Sequence, residues 1–442
     1  MSQHALASPS SAETWFNCAG SLAMQKGLPN DANDYSDHGT AAHLLGSTCL
    51  EKGTIPEEYR GRKIFVGTQD DFDGAIWYQG APNQDKKFNV RREYIVGEEM
   101  VEAIGRYVDT VRKYAEGADL MLPEQRVSIE FLTGEKEAAG TADATIVHPR
   151  ELCTTDLKYG MGVRVYASYL DPDGKRRGNK QLMIYTLAVR EELDMTHGPF
   201  DRFRFVISQP RIDHLDEWDC TAAELDEFAE EVRGASARAL FLHKLGAKPD
   251  DPEWVAEYLN PSEDACRWCK AKPTCPALAK FVIDAAGADF DAIDTAVVIS
   301  VSANGPELLA QKMRAIPLIE DWCKAVRAKV ESELFAGVAI PGWKIVQGKR
   351  GNRSWSDVEE ADALLKKMRV RDHERYDMKL KSPPALEKVM KATPKRWARV
   401  VPLITQRDGQ PSVAPASDKR PVWTPPDTSN DFTATAEEES LT

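Results

Sequence analysis

The stretch that most restricts the fold is GTADATIVHPRELCTTDLKYG, residues 140–160, in which two apolar, β-prone runs flank a very short turn. HPRE offers Pro149 and Arg150 as a two-residue loop, so His148 pairs with Glu151 and the register of the whole hairpin follows. Counting back along both strands brings Asp143 opposite Asp156, with Cβ atoms roughly 4.5–5.5 Å apart. Lys158 lies two residues beyond Asp156 and therefore on the same strand face. Two facing carboxylates repel unless a cation separates them, and a hard divalent ion with oxygen ligands, Mg2+ or Mn2+, suits that gap. Such an ion acidifies a bound water, and a lysine beside it steadies charge developing on a phosphate, so the expected chemistry is phosphodiester hydrolysis. Solvated charges on an exposed hairpin are the alternative.

Downstream, the helical pattern over 180–192 places Gln181 and Tyr185 one turn apart on one face. Helices are also expected over 11–18, 38–52, 98–116 and 222–244, and strands over 126–132, 141–148, 152–157, 203–208 and 214–218. Helices, then a clustered meander, then helix and strand indicate an α/β (mixed α+β) core within residues 1–285. Residues 300–400 are expected to form a basic, mainly helical region, opening with a long helical pattern from Pro306 to Phe335. Segment 341–400 holds 16 Lys and Arg against 8 Asp and Glu, with Trp343, Trp355 and Trp397 among them, which suits either DNA contact or a solvated helical face. Residues 401–442, rich in Pro, Ser, Thr and acidic side chains, are expected to be a disordered acidic tail.

The formal net charge of −13 argues against a nucleic-acid partner, but the basic segment shows how unevenly that charge is spread. Apolar residues at 42% and charged residues at 29% exclude wholesale disorder and a fibrous repeat. No run of about 18 uncharged apolar residues marks a membrane span. The N-terminus lacks a basic then apolar leader, so a cytoplasmic protein is expected. Eight cysteines in such a chain are expected to be free thiols or metal ligands. Cys266, Cys269 and Cys275 stand together in CRWCKAKPTC, three soft ligands in need of a fourth, whereas Cys49, Cys153, Cys220 and Cys323 are isolated.

G-T-A-D, D-L-K-Y-G and Q-L-M-I-Y, in that order, resemble the PD-(D/E)xK nuclease core in its RecB-like version, which carries G-x-x-D, D-x-K and Q-x-x-x-Y. The resemblance implies a restriction-endonuclease-like mixed sheet flanked by helices. It implies Asp143 and Asp156 as metal ligands, Lys158 as the catalytic lysine, and Gln181 and Tyr185 near the DNA and active site. An upstream helix in that family commonly supplies a histidine to the metal, and His43 in HGTAAHLLGS matches better than His38. Glu130 is a weaker acidic candidate. The segment between Lys158 and Gln181 is longer than usual for the family and clusters Lys175, Arg176, Arg177 and Lys180, a set placed for phosphate contact or simply solvated.

Cys18 before the nuclease motifs and C-x2-C-x5-C after them resemble AddB-type nucleases and related CRISPR-adaptation and eukaryotic replication nucleases. This implies that Cys18, Cys266, Cys269 and Cys275 hold a [4Fe-4S] cluster pinning the two ends of the nuclease domain, with Zn2+ as the alternative. Through SPSSAETWFNC and PGWKIVQGKRGNRSW, the chain also resembles a phage and prophage family long described as a domain of unknown function. The combined expectation is a Mg2+- or Mn2+-dependent DNA exonuclease of phage recombination, replication or repair. It would bind ends or single strands without sequence preference, with a phage single-strand-binding or annealing protein as a further partner. A non-catalytic DNA-binding scaffold is the competing expectation, against which the intact Asp143, Asp156 and Lys158 weigh.

Overall fold

Pro149 and Arg150 form the expected two-residue turn, with Arg150 in the left-handed region at φ 67°. The computed structural model describes residues 5–28, 34–69, 72–78, 88–171, 174–287, 306–346, 357–376, 381–391 and 393–404. The chain divides into two units, Met1–Val346 and Gln347–Thr442. The first unit begins with α1 (Ala12–Asn17), α2 (Ser21–Met24), α3 (Asp34–Lys52), β1 (Lys63–Gln69), β2 (Phe72–Trp77), β3 (Asn89–Ile95) and α4 (Glu98–Tyr114). It continues through β4 (Leu120–Ser128), α5 (Glu130–Thr133), β5 (Ala139–His148), β6 (Glu151–Leu157), β7 (Ser168–Leu170), β8 (Arg176–Gly178) and α6 (Lys180–His197). After β9 (Arg202–Gln209) and β10 (His214–Thr221) it closes with α7 (Ala222–Leu245), α8 (Pro252–Tyr258), α9 (Glu263–Arg267), α10 (Pro276–Gly287) and α11 (Pro306–Phe335).

The central sheet has the order β10-β9-β6-β5-β4. β6 and β9 run parallel while the other neighbours are antiparallel, so the sheet is mixed, and the parallel pair needs the crossover that α6 supplies. β5 and β6 pair from His148–Glu151 to Ala144–Thr155, in the register expected from the turn. Helices α6 and α7 cover one face of the sheet, and α3 and α4 the other. From Leu182 to Val189 α6 is buried throughout, because the sheet lies on one side of it and α1 and α7 on the other.

Three expectations are corrected. The strand placed over 126–132 begins earlier, as β4, and its last residues turn instead into the short α5, which stops at Gly134 with φ 72°. The N-terminal region is not wholly helical: a separate three-stranded sheet, β2-β1-β3, lies between α3 and α4. The first unit also runs past residue 285, because α11 packs on α9 and α10.

The small sheet is fastened to α3 by Asp37. Its buried carboxylate takes Arg91 through two hydrogen bonds of 2.8 and 2.9 Å and a further one from Arg92. The Arg91 hydrogen bonds, against the opposing effect of burial and with help from Arg92, hold this carboxyl below the usual carboxylate range.

The second unit contains α12 (Val358–Lys367), α13 (Asp372–Arg375), α14 (Pro383–Met390) and α15 (Pro394–Trp397), with Arg375 paired to Asp362. None of its described residues is buried. Trp355 and, beyond Ile404, the expected acidic tail lie outside the described residues. Among the described residues no helix is long and apolar enough to cross a membrane.

A carboxyl whose pKa is lowered on folding stabilises the fold above its ordinary value, and that contribution is lost as pH falls through the folded pKa. Asp37→Asn is therefore expected to cost about 2 kcal/mol near neutral pH and to flatten the acid dependence of stability. Urea unfolding of both proteins from about pH 7 down to about pH 3 checks this.

Candidate active site

Asp143 sits where β5 leaves regular pairing. Its Oδ2 accepts the Leu157 N–H at 2.6 Å, so a side chain stands where a main-chain acceptor would be. The ladder with β6 ends at Ala144–Thr155, and the charges of Asp143 and Asp156 act on each other just beyond it. On the other side, β4 pairs Pro123 with Ala144 and Gln125 with Ala142, so the intervening Glu124 faces Asp143. Glu124 has φ 46°, a left-handed conformation that side chains other than glycine rarely adopt. Residues two apart on a regular strand share a face, yet Ala142 packs into one core and Ala144 into the other. Both strands are thus out of phase at this point, and the distortion brings two carboxylates together.

His43, from α3, meets them. Its Nδ1 lies 3.2 Å from Asp143 Oδ1 and 3.7 Å from Glu124 Oε1. Potential ligand atoms of the three residues lie within 4.8 Å of one another. Burial disfavours a protonated imidazole here, but Asp143 and then Glu124 outweigh it, and the His43 pKa stands well above its ordinary value. The His43 side chain is 31% exposed.

Asp156, 3% exposed, has its pKa raised chiefly by burial, with Lys158 opposing and Asp143 adding to the rise. Lys158 Nζ approaches both carboxylate oxygens, at 3.1 and 2.9 Å, but only the Oδ1 contact has hydrogen-bond geometry, leaving the buried Oδ2 without a donor. The same ammonium donates to Gln181 Oε1 at 2.9 Å, and Gln181 is in turn hydrogen-bonded to Tyr185. Burial pushes the Tyr185 phenol pKa up. Asp156, Lys158, Gln181 and Tyr185 therefore form one connected polar chain. A Cβ on Gly140 would lie 2.6 Å from Tyr185 Cε1, so the glycine of G-T-A-D makes room for the tyrosine.

One imidazole nitrogen, carboxylates from two strands and an undonated buried oxygen nearby suit a divalent ion, and the nitrogen favours Mn2+ over Mg2+. The compact trio includes Glu124, which the sequence reading misses, while Asp156 stands beside it. Glu130 is elsewhere: it opens α5 and accepts the Glu137 N–H at 3.0 Å. His38 stacks on Tyr94 at 4.9 Å and meets Tyr159 edge-on at 5.0 Å, away from the trio.

A family model described as "Protein of unknown function (DUF2800)" matches residues 4–421. The chain belongs to this family. The match takes in every site residue above and the four cysteines of the proposed cluster.

In this DUF2800 protein Cys18, Cys266, Cys269 and Cys275 line one small cavity. The Asn260 N–H donates to Cys18 Sγ at 3.4 Å, the Ala271 amide faces Cys269, and those of Ala277 and Leu278 face Cys275. Burial pushes the Cys18 thiol up to about 11 and Cys269 up to about 12, and neighbouring sulfurs add to both. Sulfurs so buried and so close ionise only against a cationic core, and amides aimed at them favour the same state. Among the described residues no three of these sulfurs lie within 4.8 Å of one another. Cys49, Cys153 and Cys220 are buried singly.

The basic cluster is corrected. Lys180 of the DUF2800 chain is buried and donates to Glu13 Oε2 at 2.7 Å and the Tyr169 hydroxyl at 2.6 Å. Arg177 pairs with Asp171 and Glu231 at 3.1 and 3.3 Å, and Lys175 lies 3.6 Å from Glu227. Arg176 donates to Ser168 Oγ at 2.8 Å. Acids from α7, α1 and Asp171 thus meet three of these four cations, and Arg176 alone has no acidic partner among the described residues.

Gly140→Val is expected to displace Tyr185 and cost about 1–3 kcal/mol. Adding Tyr185→Ala should recover part of that loss, which thermal melting of the single and double variants measures.

Proposed function

We propose that this DUF2800 protein is a divalent-metal-dependent DNA nuclease of the RecB-like PD-(D/E)xK kind, an exonuclease on ends or single strands in phage or prophage DNA recombination, replication or repair. The supporting observation is the convergence of Asp143, Asp156, Lys158, Gln181 and Tyr185 with His43 and Glu124 in one cluster. A Mg2+ or Mn2+ ion held by His43, Glu124 and Asp143, with Asp156 adjoining, would supply an acidified water and neutralise phosphate charge. Asp143 is kept in place by the Leu157 amide. Lys158 gives one N–H to Asp156 and one to Gln181, which leaves its third for a phosphate oxygen or the attacking water. Gln181 and Tyr185 hold that orientation from α6. The same reading gives Cys18, Cys266, Cys269 and Cys275 a structural [4Fe-4S] cluster, which would close a very long loop and so contribute directly to folding.

With Mn2+ and labelled single- and double-stranded DNA, the wild-type protein is expected to cleave, and Asp156→Ala, Lys158→Ala and Glu124→Ala to be slower by about 10²–10⁴-fold. Equal rates for all four proteins would remove the site assignment. Tight DNA binding without cleavage under any divalent ion would favour the scaffold reading. Anaerobically purified protein is expected to be brown and to contain iron and acid-labile sulfide, both lost in Cys269→Ser. A colourless protein with bound zinc would contradict the cluster.

A further inference from the structure

Immediately beyond Lys158 and the buried Tyr159, the chain runs through an irregular loop, Gly160-Met161-Gly162-Val163-Arg164-Val165-Tyr166. Part of its main chain is held by side chains from neighbouring elements. Gln209, 1% exposed at the end of β9, accepts the Val165 N–H at 2.7 Å and donates to the carbonyls of Val163 at 2.8 Å and Gly160 at 3.4 Å. His214 lies 2.8 Å from the Val165 carbonyl, Asp216 accepts the Ala167 N–H at 2.8 Å, and Asn179 donates to the Tyr166 carbonyl at 3.1 Å. Four side chains from β9, β10 and the N-cap of α6 thus order a short loop, against a cost of about 1–2 kcal/mol for each residue fixed.

Most side chains of this loop are exposed, while Val165 packs against the core and the Tyr166 ring meets His214 edge-on at 5.1 Å. Met161 is 53% exposed, Val163 44% and Tyr166 49%. Arg164 is also exposed and has no ion pair among the described residues. The two glycines flanking Met161 have no internal explanation. Neither has a positive φ, and a Cβ on either would meet nothing within 4 Å. A glycine required by neither turn nor packing leaves space for something approaching from outside.

We infer that loop 160–166 is the substrate-engaging surface of the adjoining site and takes unpaired bases of a single DNA strand, with Tyr166 and Met161 as stacking platforms and Arg164 on the backbone. This rests on the nuclease reading of that site and deepens it by naming the substrate form. Continuity supports the assignment: Met161 is three residues from Lys158, at most about 11 Å along the chain. Chemistry selects the strand form. A duplex shows phosphates outward and keeps its bases stacked inside, so it calls for several cations, whereas this loop offers three apolar or aromatic side chains and one arginine. Gly160 and Gly162 let the strand pass close to the main chain.

The test is equilibrium binding of fluorescein-labelled oligothymidine, and of a blunt hairpin duplex of equal nucleotide number, to the full-length protein in EDTA, where cleavage is excluded. Tyr166→Ala and Gly162→Val are each expected to weaken oligothymidine binding by roughly five- to a hundredfold, and Tyr166→Phe by less than about twofold. Duplex binding and melting temperature should stay near wild type in all three. Wild-type affinity for oligothymidine in both Tyr166→Ala and Gly162→Val would overturn the inference, as would failure of the wild-type protein to bind oligothymidine. The two readings separate in parallel assays with Mn2+. Cleavage lost in Asp156→Ala but binding insensitive to the loop variants leaves the nuclease reading and removes this one. Loop-dependent binding by a wild-type protein that never cleaves does the reverse.

Discussion

Asp156 is a carboxylate taken almost wholly out of water, and the surrounding architecture compensates for that burial. Lys158, two residues on, brings a cation along the same strand face. Gln181 then fixes the cation from α6, and Tyr185 fixes the glutamine, so the charge pair is supported by a helix buried on both sides. Asp143 and Glu124 add further negative charge within reach of His43. Such a concentration of acids around one imidazole is unfavourable in an idle structural site and useful in one that receives a cation.

The same helix connects this site to the cysteine lobe. Glu13 on α1 accepts from Lys180, and Lys180 immediately precedes Gln181 on α6. A positive charge at a helix N-terminus opposes the helix dipole, so Lys180 is explained by its buried partner and not by helix stability. α1 ends one residue before Cys18, whose sulfur is bonded from Asn260 and faces the 266–275 segment. The cysteine cavity and the geometry at Lys158 are therefore joined through a short run of contacts.

The central hairpin was readable because its turn has two residues, which leaves one register, and because apolar alternation tells which residues face inward. The Gln181–Tyr185 pair was readable from helical spacing for the same local reason. Glu124 was not. It comes from a strand joined to β5 by a ten-residue connection that sets no register, and it reaches Asp143 through a left-handed backbone that no residue pattern announces. The basic hairpin misled in the opposite sense: Lys175, Arg177 and Lys180 look free until Glu227 and Glu231 on α7 and Glu13 on α1 are seen against them.

By itself, the sequence determined the hairpin register, the order of the catalytic-type motifs and the spacing of three of the four cysteines, all properties set by two- and four-residue periodicities along a local chain. Only the tertiary structure decided that Glu124 joins His43 and Asp143, that Cys18 faces the distant cysteine triplet, and that Lys175, Arg177 and Lys180 stand against acids. It alone showed Gln209, His214 and Asn179 bonding the main chain of the loop after Lys158 while Met161, Val163 and Tyr166 stay exposed. Each depends on which distant segments meet, and in a folded chain that is settled by the burial of α6 between the sheet and α1 and α7, which leaves no trace in local spacing.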